Sequence, residues 1–331
     1  MSIAVLGAGA WGTALAIRLA AQDQAPVRLW TRSAEHAEAM AREGENGRYL
    51  AGFVLPKEFA VGCELASTLA DADLLIAAVP SNGFRSLLQA LRTIGARQPL
   101  VWLCKGLESG TCKLPHAVLA EAWPGHPPAA VLSGPSFAKE VASGLPAALT
   151  VASPDADFAR LVARRLHDPK LRLYSSTDVV GVELGGAVKN VIAIAAGISD
   201  GLGFGHNARA ALVTRGLAEL TRLGLKLGGR PETFMGLSGM GDLILTCTGD
   251  LSRNRQLGLR LAAGESLEGA LRQLGHVAEG ATTAAEVVRL AREQGVDMPI
   301  TEAVAQVLGQ EMPPREAVAA LLARDLKDEG A

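Results

Sequence analysis

A chain of 331 residues, 49% apolar and 20% charged, is long for a single core, and its composition is that of a soluble globular protein with two domains. Its 32 basic and 34 acidic residues leave a net charge of −2, which excludes the broad basic field that draws nucleic acid or acidic membrane surfaces. No apolar run approaches the roughly 20 residues that span a bilayer, and the opening "SIAVLG" leaves no room for a signal peptide. Cys63, Cys104, Cys112 and Cys247 show neither metal-ligand spacing nor a secreted-scaffold pattern. They read as reduced thiols of a cytoplasmic protein that holds no metal.

In chain order, the first half alternates strand-length apolar runs with amphipathic segments. The runs are "IAVLG", "VRLWT", "LLIAAVP", "LVWLCKG", "AAVLSG" and "ALTVAS", and "TALAIRLAAQ" and "FRSLLQALRTIG" are helical patterns between them. This alternation predicts an α/β fold, a parallel sheet wound with helices on both faces. Near "LRLYSSTD" the character changes. Beyond it the pattern predicts helices over 178–198, 207–226, 252–263, 282–294 and 315–326, with Gly or Pro in most gaps. The expected division is therefore 1–176 for the sheet domain and 177–331 for an all-helical second domain.

"IAVLGAGAWGTALAIRLA" sets Gly7, Gly9 and Gly12 in G-x-G-x-x-G spacing after a strand and into a helix. Such a loop lets backbone amides approach a pyrophosphate, and this strand–turn–helix context predicts dinucleotide binding. At the end of the second strand an NAD site usually carries an acid for the ribose hydroxyls. Here Thr31, Arg32 and Ser33 stand there instead. Either Arg32 meets a 2′-phosphate, which favours NADPH/NADP over NADH/NAD, or it is an ordinary exposed loop arginine.

Open α/β sheets bind ligands beyond the carboxyl ends of their strands. Lys105 in "VWLCKGLE" has that position, as a ligand group or as a solvated strand-end lysine. In "VLSGPSFAKE", Gly134, Pro135 and Ser136 follow a strand and open a helix, which either receives an oxygen-rich substrate or is simply capped.

The helix "GGAVKNVIAIAAG" carries Lys189 and Asn190 in an apolar stretch. Around Lys189 lie Gly185, Gly186, Ile192 and Ala193, and this small-residue face suggests a cavity or close ligand approach. An unpaired buried ammonium costs several kcal/mol, so a carboxylate or ligand anion is expected nearby, unless the lysine snorkels to the surface. Asp242, after a glycine-rich turn and before "LILT", is the candidate counter-charge or else a helix cap. Ser252 is a good N-cap, yet Arg253 and Arg255 follow where the helix dipole prefers acids. A phosphate held by the helix start, Asn254 and an arginine explains that inversion, and a solvated surface arginine is the alternative for Arg255 more than for the whole group.

Taken together, "GAGAWGTALA", "KGLE", "LSGPSFAKE", "GGAVKNVIAIAAG", "GFGHNARAALVTRGLAE", "GLSGMGDLILTCT", "SRNRQLG" and "AEGATTA" resemble, in order, the NAD(P)-dependent glycerol-3-phosphate dehydrogenases of bacteria. The resemblance runs from about residue 3 to the final helices. It implies a Rossmann domain followed by a helical domain, commonly as a homodimer, and reversible hydride transfer between NAD(P)H and dihydroxyacetone phosphate, giving sn-glycerol 3-phosphate for phospholipid synthesis. It implies that Lys189 is the catalytic proton donor and acceptor. Lys105, Gly134, Ser136, Lys189, Asp242, Ser252, Arg253 and Asn254 match substrate-binding positions. Ala10, Trp11, Arg32, Lys105, Ala138, Arg253, Val277 and Glu279 match positions that touch the dinucleotide. Two rivals share much of this pattern. A related β-hydroxyacid dehydrogenase holds its substrate through a carboxylate, and a non-catalytic dinucleotide sensor needs no lysine–aspartate pair.

Overall fold

The computed structural model describes residues 2–21, 26–56, 59–275 and 278–324. All four residues of β1 (Ile3–Leu6) are buried, as befits a central strand covered on both faces. Gly7 to Gly9 turn it directly into α1 (Ala10–Ala20), and β2 (Val27–Trp30) follows. α2 (Ala34–Glu43) is capped by the Ser33 hydroxyl and ended by Gly44 in a left-handed conformation. A hairpin of β3 (Glu45–Asn46) and β4 (Leu50–Val54) comes next, then β5 (Ala60–Gly62), the short α3 (Leu65–Leu69) and β6 (Leu74–Ala77). α4 (Ser81–Ile94), β7 (Leu100–Trp102), α5 (Pro115–Ala122), β8 (Ala129–Ser133) and α6 (Ala138–Ala142) continue the alternation. β9 (Ala147–Ala152), α7 (Ala156–Leu166) and β10 (Leu171–Ser176) complete it.

Eight strands form one sheet in the order β10-β9-β8-β7-β6-β1-β2-β5. The order reverses between β1 and β6, where Leu6 pairs with Ala77 on one side and with Trp30 on the other. Such a switch point opens a crevice beyond the carboxyl ends of the strands. Alternate strand residues feed two cores, Val5, Leu29 and Ile76 on one face and Ala4, Leu75 and Trp102 on the other. The expected all-parallel sheet is corrected at one place: β9 runs antiparallel to β8, and β10 is parallel to β9. Parallel neighbours need a crossover that packs on the sheet. The only helix between β8 and β9 is the five-residue α6, which packs against α1 instead.

From Val179 onward the described residues are helical: α8 (Val179–Gly201), α9 (Gly205–Lys226), α10 (Pro231–Phe234), a π-helical turn at Leu237–Gly241, α11 (Asp242–Thr248), α12 (Arg253–Ala262), α13 (Leu267–Leu274), α14 (Glu279–Glu293), α15 (Pro299–Leu308) and α16 (Pro314–Leu322). The last predicted helix stops at Leu322, and residues 325–326 lie outside the described residues. Asp178 starts α8 by accepting from the Gly181 amide, and its other oxygen accepts from Arg230 N. α8 is the axis of this half and packs against α9, α11, α12, α14 and α15. The sequence leads to the expectation of no run long enough to cross a membrane. α8 does pass by length and composition, with a mean hydropathy of 1.6, but 94% of that window is buried inside the protein.

Small residues let α12 lie almost backbone to backbone on α8. A Cβ at Gly197 would sit 2.0 Å from the Arg255 carbonyl oxygen, and one at Gly258 would sit 2.1 Å from that of Ile194.

Candidate active site

The glycine loop lies at the switch point. Gly7 has φ 128°, and a Cβ there would meet the Ala78 carbonyl oxygen at 2.5 Å, so the turn after β1 closes directly on the end of β6. A Cβ at Gly12 would strike the Gly7 carbonyl oxygen at 2.1 Å, whereas one at Gly9 meets nothing within 4 Å. Gly9 is also the N-cap of α1, and no side chain caps that helix start, whose first-turn amides, that of Ala10 among them, have no intrahelical partner. This cradle fits a pyrophosphate. Trp11 is half-buried beside it, and Ala138 opens α6 against α1. Arg32 is exposed at the end of β2, with no carboxylate paired to it among the described residues. Val277 lies outside the described residues.

A second cluster joins the two halves. Asp242, the first residue of α11, is 1% exposed, and its two oxygens serve two lysines. Lys189 donates to Oδ1, and Lys105 donates to Oδ2 at 2.8 Å and to the Gly134 carbonyl at 3.0 Å. Lys189 also donates to Thr246 Oγ1 at 3.1 Å, and that hydroxyl donates to the Asp242 carbonyl at 2.6 Å. An ammonium has three N–H donors, so each lysine keeps one free for another acceptor. Burial, helped by the nearby Lys105, pushes Lys189 down to about 8 although Asp242 pulls the other way. Ser136 donates to the Gly134 carbonyl at 3.0 Å, so "SGPS" is held against Lys105.

The expectation of a cavity beside Lys189 needs correction. A Cβ at Gly185 would lie 2.2 Å from the Ser238 carbonyl oxygen, and one at Gly186 would meet Ser133 Oγ at 2.9 Å and Lys105 Cγ at 3.3 Å. These glycines admit the π-helical turn and the Lys105 stem, not a ligand. The Lys105 stem passes close over α8 at Gly186 on its way to Asp242.

α12 brings its start to the same place. The Ser252 hydroxyl caps it by accepting from Arg255 N. Arg255 is not a ligand group: it pairs with Asp200 at 2.7 Å and Asp250 at 2.9 Å. Arg253 makes no ion pair or hydrogen bond among the described residues, and burial lowers its pKa. Asn254 donates to Asn190 Oδ1 at 2.9 Å and accepts from the Gly280 amide at 3.0 Å, tying α12 to α8 and to the start of α14. Glu279 opens α14. Burial raises its carboxyl pKa against the pull of Lys105, Lys189 and Arg253. Three cations thus face two carboxylates, which suits a substrate with an anionic end.

The family models decide the family. One for the N-terminus of NAD-dependent glycerol-3-phosphate dehydrogenase matches residues 2–159, and one for its C-terminus matches residues 178–319. The chain belongs to the NAD-dependent glycerol-3-phosphate dehydrogenase family. It is 59% identical over 310 residues to glycerol-3-phosphate dehydrogenase [NAD(P)+] of Nitrosospira multiformis, covering 93% of each chain. With the protein of that name from Dechloromonas aromatica it shares 53% identity over 329 residues, 99% of each. The crystal structure of glycerol-3-phosphate dehydrogenase from Coxiella burnetii superposes with a TM-score of 0.94 at 43% identity, over 98% of this chain and 99% of that one.

Within this family fold, two sets of contacts escaped the sequence reading. Thr246 is one helical turn after Asp242, a spacing that becomes visible only once α11 is known to be a helix. Asn46 donates to the Ala8 carbonyl at 2.9 Å and to Thr13 Oγ1 at 2.8 Å, and contacts His36 Nε2 at 3.0 Å. It braces the glycine loop from the β3–β4 hairpin, and nothing in "GENGRYL" distinguishes that asparagine from a turn residue.

Proposed function

We propose that the chain is an oxidoreductase that reversibly reduces dihydroxyacetone phosphate to sn-glycerol 3-phosphate with NAD(P)H, supplying the backbone of glycerophospholipids. One observation carries the reading in a chain of this family: Lys189 is buried, paired with Asp242, and keeps one N–H unfilled at the junction of the dinucleotide cradle and the helical half. When bound, the reduced nicotinamide supplies the hydride. Lys189 donates its free N–H to the substrate carbonyl oxygen, stabilises the charge developing there and transfers the proton. Asp242 orients Lys189 and offsets its charge, while Lys105 adds a second donor to the same oxygen-rich region. Arg253, the amides at the start of α12 and the remaining amide hydrogen of Asn254 hold the phosphate, with Ser252 capping that helix. Gly134 and Ser136 complete the substrate side. Gly7, Gly9, Ala10, Trp11, Gly12, Ala138 and Glu279 serve the dinucleotide.

NADPH is the favoured cofactor, since the end of β2 offers exposed Arg32 and no acid for the ribose hydroxyls. The domain boundary falls near residue 177, between β10 and α8. The enzyme acts as a homodimer in the cytoplasm, where its four free thiols fit a reducing compartment. The test is cofactor oxidation followed spectrophotometrically with dihydroxyacetone phosphate and each reduced cofactor. Turnover with a higher kcat/KM for NADPH is expected. Cofactor oxidation only with a 3-oxo-carboxylate would replace the reading with a β-hydroxyacid dehydrogenase.

A further inference from the structure

The loop between β7 and α5 carries Lys105, yet most of its fastening lies on the other half of the molecule. Leu107, Cys112 and Leu114 are buried in the core of the helical domain. One face of α14 runs along the loop and bonds to it at Glu286. Glu279 lies at the lysine cluster, Thr283 Oγ1 would be 2.9 Å from a Cβ at Gly106, and Glu286 Oε1 accepts from the Gly110 amide at 2.9 Å. Positions 279, 283 and 286 are four and three residues apart and so share one helical stripe. Glu286 Oε2 also lies 3.0 Å from Cys112 Sγ, at a residue whose φ of 55° is unusual for a side chain with a Cβ and is sustained by its surroundings.

We infer that Glu286 is a positioning residue for the reaction: by holding Gly110 and Cys112 it fixes the loop that sets the Lys105 ammonium against Asp242. The inference rests on the proposed role of Lys189 as proton donor. Glu286 touches neither lysine. It acts through a segment that runs from Lys105 to α5, within which Arg85 of α4 holds Glu108 in a bidentate pair at 2.7 and 2.8 Å. Losing the Glu286 carboxylate releases the Gly110 amide and leaves the Cys112 thiol to the Glu286 carbonyl and Arg289 alone, which loosens the middle of that span. Lys105 then shares Asp242 less tightly and spends less time near Lys189.

The consequence shows in pH dependence. Lys189 is faced by Asp242 and Cys247 from α11, Lys105 from the loop and Glu279 from α14, with Arg253 of α12 next to Glu279. Among them Lys105 is the cation that lowers Lys189. Withdrawing it raises the Lys189 pKa and moves the alkaline limb of kcat/KM for dihydroxyacetone phosphate to higher pH.

The experiment compares the pH profile of kcat/KM in wild type, Glu286→Ala and Glu286→Gln. Gln keeps an acceptor for the Gly110 amide without the charge. Glu286→Ala is expected to lower kcat/KM roughly tenfold or more and to shift the alkaline limb upward, with Glu286→Gln restoring most of both. Should the alanine variant fail to fold, Glu286→Asp, which withdraws the carboxylate by one methylene, is expected to shift the limb in the same direction. A limb that stays in place in the alanine or aspartate variant overturns the inference, even if thermal stability falls. Equal shifts in Ala and Gln also overturn it, by making the effect one of charge. A wild-type profile flat through the alkaline range contradicts the proton-donor role itself, and the inference with it.

Discussion

At the scale of single residues, Lys189 and Asp242 are a pair whose burial would be costly for either alone. The donor role proposed for Lys189 has a definite sign. Reduction requires the ammonium, and the group sits at about 8, so kcat/KM for dihydroxyacetone phosphate should be level below that pH and fall about tenfold per unit above it. Oxidation of glycerol 3-phosphate requires the neutral amine and should rise through the same range. Initial rates in both directions across pH check this, and parallel profiles would contradict it. Arg32 makes a separate prediction. Arg32→Ala should weaken NADPH by about 1.5–3 kcal/mol, tenfold or more in Kd, and NADH far less. Equal losses in titrations with the two cofactors would remove the 2′-phosphate contact.

At the scale of elements, α8 and α12 were readable because their caps, Asp178 and Ser252, and their apolar spacing are local signals. α11 was not, since "GLSGMG" reads as a loop and the π-helical turn it forms leads straight into the helix. Strand direction was also hidden: "ALTVAS" has the same periodicity whichever way it runs, and only the short α6 decides it. The small residues of α8 are visible in the sequence but their neighbours, the π-helical turn and the Lys105 stem, are not, because spacing shows where space is left and not what fills it. The close crossing predicts that Gly258→Ala destabilises the protein by about 2–3 kcal/mol through overpacking, seen as a lower urea midpoint. It should also raise KM for dihydroxyacetone phosphate by displacing the start of α12. An unchanged midpoint would show that the helices separate freely.

At the scale of the whole molecule, the site exists only where the halves meet. The glycine-loop cradle is built by β1, α1 and β6, and the proposed proton donor and its counter-charge come from α8 and α11. Lys105 reaches across from the loop after β7, and Glu183 of α8 accepts from Trp102 Nε1 of β7 at 3.0 Å to hold the two halves together. Motifs made each half legible in the sequence. The pairing of Lys105 with Asp242, 137 residues apart, and of Gly110 with Glu286, 176 apart, was not, because no local pattern records which distant segments touch. The division of labour is tested most directly by Lys189→Ala, measured for NADPH affinity by fluorescence titration and for turnover under saturating substrate. The account predicts nearly unchanged NADPH binding and a kcat lower by about 10²–10⁴-fold. A variant that keeps most of its kcat would contradict it.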